Sequence, residues 1–579
     1  MEHDEDRLSN LPKVILHSIL SRLPEKDAAR TSVLSKSWLE TWHTFPILSF
    51  SDAKITGLFP PSDIGRMLFP ELMDDFVRKI ENFIDYVKIT LLRFYDNGLA
   101  INKFKLVVNN VELRGYNVEL DLWLKLASES GVEVLQLCLP NGPNHEYYVL
   151  PEGVMGGIRV DTAFMNRSIK FFSLRILSLK HVLSRDEHAI EHLISCCPLI
   201  EHITLRDCSM LSPNGATNHL LESHTSGVIK SLSMDGLLKL KTVDVQGIQE
   251  VYIDSPSLEK LRYCPGYFDA PFKIDFDRCQ NLKYLDLCLD SGIITDKWFL
   301  ELFRKFRFLE SLKLDDCTMA ERINISSVQL KVLELSDCSN LKEVNIDAPN
   351  LLSCVYCSDG DSEPIISFLT SSSQLKVDMD IPIDHHHLCN LREFVQNIKP
   401  QNVLSSLSVY IRKPFVDILH PMVFQVSSPP PSIKHLHLRS VPKNETFFSS
   451  IVNILLSSCC PAFISLNPHP YFCSKAFTEF LYEKLMERKG DDCFCSSSDT
   501  KCWWHGLKNV KVISSLKNDK NIDFKTMLEL LPNGGKISFI YCDSHFASSK
   551  QGPSADFHFT ITFLDITHFQ LLHAVIPSS

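Results

Sequence analysis

A short apolar phrase, L-x-x-L-x-L-x-x-C or a close variant of it, recurs along most of this chain and constrains its fold more than any other feature. Leu309-x-x-Leu312-x-Leu314-x-x-Cys317 and Leu330-x-x-Leu333-x-Leu335-x-x-Cys338 are the cleanest copies. Ile101-x-x-Phe104-x-Leu106-x-x-Asn109, Leu174-x-x-Leu177-x-Leu179-x-x-Val182, Ile200-x-x-Ile203-x-Leu205-x-x-Cys208 and Ile433-x-x-Leu436-x-Leu438-x-x-Val441 keep the same frame. Looser copies are centred on Leu135, Leu232, Val251, Leu261, Leu285 and Leu407. The central x-L-x-L-x is a short strand whose alternate side chains point inward. The outer Leu and the closing Cys or Asn tuck the turn beneath it. One copy occurs in any buried strand. Many copies in one chain predict strands paired in parallel, each repeat covering the apolar face of the next, in an α/β solenoid.

The repeat length is uneven, from about 20 residues between Leu312 and Leu333 to about 40 between Leu135 and Leu177. Two kinds of return leg fit between the strands. Glu187 to Ile194 and Thr295 to Phe306 have helical spacing, whereas Leu341-x-x-Val344-x-Ile346, and Leu240 to Val245 after Leu232, read as extended. The array is therefore expected to mix helical and extended return legs. Beyond about Pro442 the repeat fades, Ser474 to Lys489 reads as an amphipathic helix, and Leu507-x-x-Val510-x-Val512 and "KISFIYC" read as strands closing the array. The organisation expected is a small helical unit at 1–52, a linker and helical lead-in at 53–100, the repeat array at 101–441 and a closing region at 442–579.

Composition excludes several partners. A net charge of -11, without a run of five or more basic residues, predicts neither a nucleic-acid nor a membrane-surface footprint. No stretch of about 18 apolar residues offers a membrane span; Ile451 to Leu466 comes nearest and carries Asn453 and several Ser. The acidic start, Met1-Glu2-His3-Asp4-Glu5-Asp6, is unlike a signal or transit peptide. The 19 cysteines are an odd number, and Cys208, Cys317 and Cys338 stand where an apolar residue would pack, which predicts reduced, buried thiols and a cytoplasmic or nuclear location.

The first fifty residues differ from the rest. Ser9 or Asn10 can cap a helix with Pro12 in its first turn, and Ile15, Leu16, Ile19, Leu20 and Leu23 form one apolar stripe ended by Pro24. A second short helix fits Glu25 to Thr31, and a third fits Ser35 to His43 with Trp38 and Trp42 four apart. Three helices in so short a stretch make a small core. Apolar surface left over would dock on a partner or on the rest of the chain, and the pattern leaves both open.

The string "DRLSNLPKVILHSILSRLPEKDAARTSVLSKSWLETWHTFPILSF" resembles an F-box, specifically that of plant-type F-box/leucine-rich-repeat proteins. The pieces that carry the likeness are Leu11-Pro12, Ile15-Leu16, Ile19-Leu20, Leu23-Pro24, Asp27-Ala28, Thr31 to Ser35 and Trp38. Ser37 departs from the Arg usual before that Trp. "Cys-Pro-Leu-Ile-Glu" at 197–201 and "Asp-Ala-Pro-Asn-Leu" at 347–351 resemble the same family, and "CWWHGLKNVKV" from Cys502 resembles its FBD-type C-terminal segment. The resemblance implies a Skp-type adaptor bound by the F-box, a cullin and RING subunit reached through it, and an unidentified protein target bound by the repeats. Carried over, the adaptor contacts are Leu11, Pro12, Ile15, Leu16, Ile19, Leu20, Leu34 and Trp38. It also implies a receptor that positions a target for ubiquitin transfer and does no chemistry itself. A scaffold outside any ligase and a receptor for a small molecule are the alternatives.

The residues give no competing chemistry. No G-x-S-x-G, P-loop, G-x-G-x-x-G or H-E-x-x-H is present. No cofactor and no catalytic residue are expected. Cys493, Cys495, Cys502 and His505 are zinc-ligand types in an uncommon spacing, and His385-His386-His387 with Cys389, read as extended, would alternate between faces. Neither is expected to hold a metal. On the repeats, the outward x positions such as Lys313, Asp315, Glu334 and Ser336 are the kind of residue that would meet a target.

Overall fold

The computed structural model describes residue 8 and residues 11–52, 70–108, 117–139, 171–184, 187–211, 226–265, 272–288, 292–358, 364–383, 385–400, 403–411, 431–441, 444–466, 475–486, 509–514, 524–530 and 537–542. The fold class is an α/β solenoid behind a helical F-box, in two compact units.

The first unit takes in Met1–Ser291 and Lys305–Leu309. It opens with helices α1 (Lys13–Arg22), α2 (Glu25–Arg30) and α3 (Lys36–His43), a 3-10 turn over Thr31–Val33 linking the last two. Helix α1 starts two residues later than a cap at Asn10 would place it, and three later than one at Ser9, so Pro12 stands before its first turn. Pro12 is its N-cap, and its carbonyl accepts the N–H of Ile15 and Leu16 at 2.9 and 3.1 Å. Strands follow: β1 (Ile47–Ser51), β2 (Lys103–Val107), β3 (Val134–Cys138), β4 (Ile176–Lys180), β5 (Leu183–Ser184), β6 (His202–Arg206), β7 (Ser209–Leu211), β8 (Ser226–Asp235), β9 (Thr242–Gln246), β10 (Ile248–Asp254), β11 (Lys260–Cys264), β12 (Lys273–Asp275) and β13 (Tyr284–Cys288). Helices α4 (Pro70–Asp96), α5 (Asn117–Glu129) and α6 (Ala189–Ser195) are return legs.

The order β1-β2-β3-β4-β6-β9-β11-β13 is parallel throughout and in register, so Phe104, Leu135, Leu177, Ile203, Val243, Leu261 and Leu285 form one buried row. A second sheet, β5-β7-β8-β10-β12, lies on the return side. Here the sequence reading inverts. Leu232 and Val251, taken as copies of the central strand, sit in β8 and β10 of the second sheet, while the stretch from Leu240 to Val245, taken as a return leg, supplies β9 of the first. Both sheets bury alternate aliphatic side chains in the same interior, so alternation alone cannot assign a strand to one or the other.

The second unit takes in Gly292–Arg304 and Glu310–Ser579. Helix α7 (Asp296–Lys305) precedes β14 (Ser311–Asp315), β15 (Arg322–Ser326), β16 (Val332–Ser336), β17 (Glu343–Asp347), β18 (Ser353–Cys357), β19 (Ile365–Thr370) and β20 (Lys376–Ile383). Then come α8 (His385–Gln396), β21 (Ile398–Lys399), β22 (Leu404–Ile411), β23 (Ser432–Ser440), α9 (Phe448–Ser458), β24 (Cys460–Leu466), α10 (Lys475–Met486), β25 (Asn509–Ser514), α11 (Phe524–Leu530) and β26 (Ile537–Cys542). β14-β16-β18-β20-β22-β23-β24 is parallel, and β15-β17-β19-β21 forms the return sheet. The parallel run ends where β26 pairs antiparallel to β24 and to β25. The amphipathic helix expected near 474–489 is α10, with Phe477, Leu481 and Leu485 buried. The His385-His386-His387 run lies on a helix, not on the extended segment its sequence suggested.

One backbone device repeats. The residue after β4, β6, β9, β14 and β16 has positive φ: His181 (56°), Asp207 (52°), Gly247 (85°), Asp316 (52°) and Asp337 (50°). Each continues the ladder, its N–H donating to the next repeat's strand at 2.9–3.1 Å. The left-handed turn then drops the following side chain, Val182, Cys208, Ile248, Cys317 or Cys338, into the core. Left-handed backbone costs a branched side chain about 1–2 kcal/mol and glycine little. Asp337→Val is expected to lower stability by about 1–2 kcal/mol more than Asp337→Gly does, read as a shift in the urea midpoint at constant slope. Equal losses would remove this account of the turn.

Candidate functional site

Two surfaces can carry partner binding: the F-box helices and the outward face of the repeat strands. The F-box core consists of Leu16, Leu20, Ala28, Trp38 and Phe45, with Leu11, Ile19, Trp42 and Ile47 packed against it. Ser35 caps α3, its Oγ accepting the Trp38 N–H at 3.2 Å, and so fixes where the indole enters. The His17 ring packs 5.8 Å from that of Phe45, and its Nε2 lies 3.2 Å from both Thr41 O and Thr44 Oγ1. A carbonyl only accepts, so Nε2 carries the proton.

This core sorts the sequence-derived adaptor set. Leu16 (1% exposed), Leu20 (1%) and Trp38 (5%) face inward and hold the helices together. Leu11 and Ile19 are half-buried against them. Pro12, Ile15 and Leu34 face outward. Sequence reasoning passed over Val14 and Val33, which are 79% and 85% exposed, the most open apolar side chains of the F-box. The signal was present, because Val14 lies off the Leu16–Leu20 line and Val33-Leu34 is an apolar pair in a turn too short to bury both. Apolar groups left in water above a packed core are the kind of surface a partner can cover.

The F-box is joined directly to the repeats. Pro46 O accepts the N–H of Asn102 and Lys103 at 2.9 and 3.1 Å, and β1 pairs with β2 over its whole length. Ile47 packs into the F-box core while Leu48 and Phe50 are buried in the first repeat. One strand thus serves both cores.

On the repeat face of the first unit, Arg206 meets Asp244 at 2.5 Å, Arg262 meets Asp286 at 3.3 Å, and the Lys260 ammonium lies 4.7 Å from the Tyr284 ring centre. On that of the second, Lys313 and Glu334 pair at 2.7 Å and Ser336 Oγ donates to Glu334 at 3.3 Å, but Ser336 is itself buried, at 6% exposed, which removes it from the residues expected to meet a target. Asp315 shares their face. Burial raises the Asp378 and Asp380 carboxyls; Arg439, 2.6 Å from Asp380, opposes the rise there. His435 Nε2 and His437 Nδ1 both reach Ser465 Oγ, at 2.6 and 2.8 Å. That pairing has the look of an activated nucleophile, but Ser465 is 0% exposed, which leaves its Oγ no open approach for a substrate. No group of three or more His, Cys, Asp or Glu among the described residues could hold a metal ion. The zinc-type candidates Cys493, Cys495, Cys502 and His505 lie outside the described residues. No described helix is long and apolar enough to cross a membrane.

Comparison with known proteins finds both domain types. Residues 8–50 match the F-box domain model and residues 231–442 match that of the At1g61320/AtMIF1 LRR domain. The chain thus carries an F-box domain and a leucine-rich-repeat region, and is similar in this to plant-type F-box/leucine-rich-repeat proteins. Among curated Arabidopsis thaliana proteins it is similar to F-box/FBD/LRR-repeat protein At1g13570, 28% identical over 42% of this chain and 55% of that one. It is also similar to FBD-associated F-box protein At4g13985, 26% identical over 44% and 51%. Putative F-box/FBD/LRR-repeat protein At4g00315 is 25% identical over 60% and 83%. The chain spans about half the length of the first of these relatives. Neither of the two matching domain models is that of an enzyme.

Burial lowers the pKa of His17 and, with help from Arg93, that of His43. A folded pKa below the unfolded value of about 6.5 means that protons favour unfolding. The stabilisation is complete above that value and is lost as pH falls below it. Hydrogen-exchange protection of residues 13–43, corrected for intrinsic rates, is expected to decline from pH 7.5 to pH 5.5. His17→Gln, which keeps a donor for Thr41 O, should flatten the decline. An unchanged profile in that variant would assign the dependence elsewhere.

Proposed function

We propose that this protein is the substrate-recognition subunit of an SCF-type ubiquitin ligase, with a Skp-type adaptor on its F-box and a protein target on its repeats. The observation that carries the reading is the F-box match at 8–50 together with Val14, Ile15, Val33 and Leu34 standing in solvent above a core complete without them. Interfaces of this kind draw most of their affinity from a few apolar anchors at their centre. The strand shared between the F-box and the first repeat supports the division of labour, since it holds the two surfaces at a fixed relation within the first unit. The repeat strands offer an extended, rigid face for a target. The protein does no chemistry on that target; ubiquitin transfer belongs to the cullin-bound machinery. The cytoplasm or nucleus is the proposed location.

The test is capture of a purified Skp-type adaptor by the full chain, with cullin recruitment scored separately. Each of Val14→Asp, Ile15→Asp and Leu34→Asp is expected to weaken capture by about 2 kcal/mol, roughly 30-fold, while leaving the far-ultraviolet spectrum and melting unchanged. Leu16→Ala and Trp38→Ala should act through stability, costing about 2–5 kcal/mol. Adaptor capture without cullin recruitment would point to a scaffold. A folded chain that captures no adaptor would sink the reading.

A further inference from the structure

Strands β11 and β13 of the first unit run parallel and in register, and their outward residues form a ladder of side-chain rungs. Lys260 touches Tyr284 in the first rung, with the ammonium 4.7 Å from the ring centre. Arg262 touches Asp286 in the second, at 3.3 Å. The register is recorded through Tyr263 and Leu287; one residue further it sets Cys264 beside Cys288, the last residues of their strands. Neither is in a disulfide, and both are half-buried rather than enclosed. The first two rungs show that side chains at matched positions on these strands meet. The third places two thiols where such contacts form.

We propose that Cys264 and Cys288 are a redox modification site, a dithiol that hydroperoxides oxidise to a reversible disulfide on the repeat face. The chemistry balances in two steps. One thiolate attacks a peroxide oxygen, breaking the O–O bond and giving a sulfenic acid and water. The second thiolate attacks that sulfur and expels the hydroxyl, which leaves as water after taking a proton. Two thiols and one hydrogen peroxide become one disulfide and two waters. Neighbouring strands stand about 4.8 Å apart, inside the ~4.4–6.8 Å Cα range of disulfides. In-register Cβ atoms at roughly that same spacing are a little wider than a relaxed bridge takes. Closure must therefore draw the two strand ends together, which makes the bridge easy to reduce again. It would do so beside the Arg262–Asp286 pair, on the face the repeats present.

Cys317 and Cys338 provide an internal contrast. They too are one repeat apart and in contact, since Cys338 is raised first by its hydrogen bond with Cys317. They are 1% and 4% exposed, however, and closed to an oxidant. Burial likewise pushes the Cys354 thiol up to about 12, far from a reactive thiolate.

The test needs no adaptor or target and stands or falls independently of the ligase reading. The reduced full chain is treated with a few equivalents of hydrogen peroxide, alkylated, digested and mapped by mass spectrometry without reduction. The expected result is a Cys264 peptide linked to a Cys288 peptide, lost on treatment with dithiothreitol, with Cys317 and Cys338 recovered as alkylated thiols. In Cys264→Ser, where the half-exposed side chain tolerates the change, Cys288 should accumulate as a sulfenic acid trapped by dimedone; Cys288→Ser should do the same for Cys264. Recovery of both as alkylated thiols, or linkage of either mainly to another cysteine, would overturn the proposal.

Discussion

The in-register parallel ladder between successive repeats is the constraint from which the rest of this molecule follows. A parallel strand cannot reach its neighbour through a tight turn, so each repeat must send the chain around a return leg and bring it back at the same height. The left-handed residue after the strand makes the exit possible. Asp207, Gly247, Asp316 and Asp337 bend the backbone while their N–H groups still bond to the next repeat. The side chain after each is buried, and it packs the turn against the layer below. The Cys of the phrase is thus a small apolar wedge placed by the turn before it, and Val182 and Ile248 do the same work without sulfur.

Return legs are where the repeats differ, and carboxylates mark the places where a helical leg gives way to the return sheet. In the first unit Glu187 and Glu191, beside and on α6, accept the N–H of Lys230 and Ser233 in β8 at 3.2 and 3.5 Å. In the second, Asp296 of α7 accepts the Asn324 N–H and its side-chain amide at 2.7 and 2.8 Å, at the first strand of the return sheet. A stretch of strand with no neighbour on one side, such as β8 beyond its pairing with β7, presents unpaired N–H groups that would template another chain. An acid placed on the preceding helix satisfies them. The same device appears independently in the two units, as expected if the switch from helix to strand creates the same problem each time.

Much of this was legible in the residues. The copies at Leu135, Leu177, Ile203, Leu312, Leu333 and Leu436 all lie in central strands. An outer Leu or Ile, as at Leu174, Ile200, Leu309, Leu330 and Ile433, marks the frame in most of them. Of the looser copies, Leu135, Leu261, Leu285 and Leu407 lie in central strands as well, but Leu232 and Val251 do not, because the two sheets share one interior and read alike along the chain. The left-handed turns were visible as Asp-Cys and Gly-Ile but went unread. In the F-box the periodicity identified the apolar residues without dividing core from surface. Leu16 and Leu20 share a line with Trp38 only in three dimensions, and the inward turn of Trp38 depends on where Ser35 starts the helix.

That division has a consequence for how an F-box can work at this size. A bundle of three short helices cannot both bury all its apolar residues and keep an apolar face for a partner unless some of its core comes from elsewhere. Here Phe45 and Ile47, on the way into and within β1, complete the core from the repeat side. The hydrogen bonds from Asn102 and Lys103 to Pro46 hold that entry in place. The F-box therefore borrows stability from the first repeat, which frees Val14, Ile15, Val33 and Leu34 from packing duty. Loosening β1 from β2 should disturb the F-box before any residue on its exposed face is touched, so the solenoid is a structural requirement of the F-box as well as its neighbour.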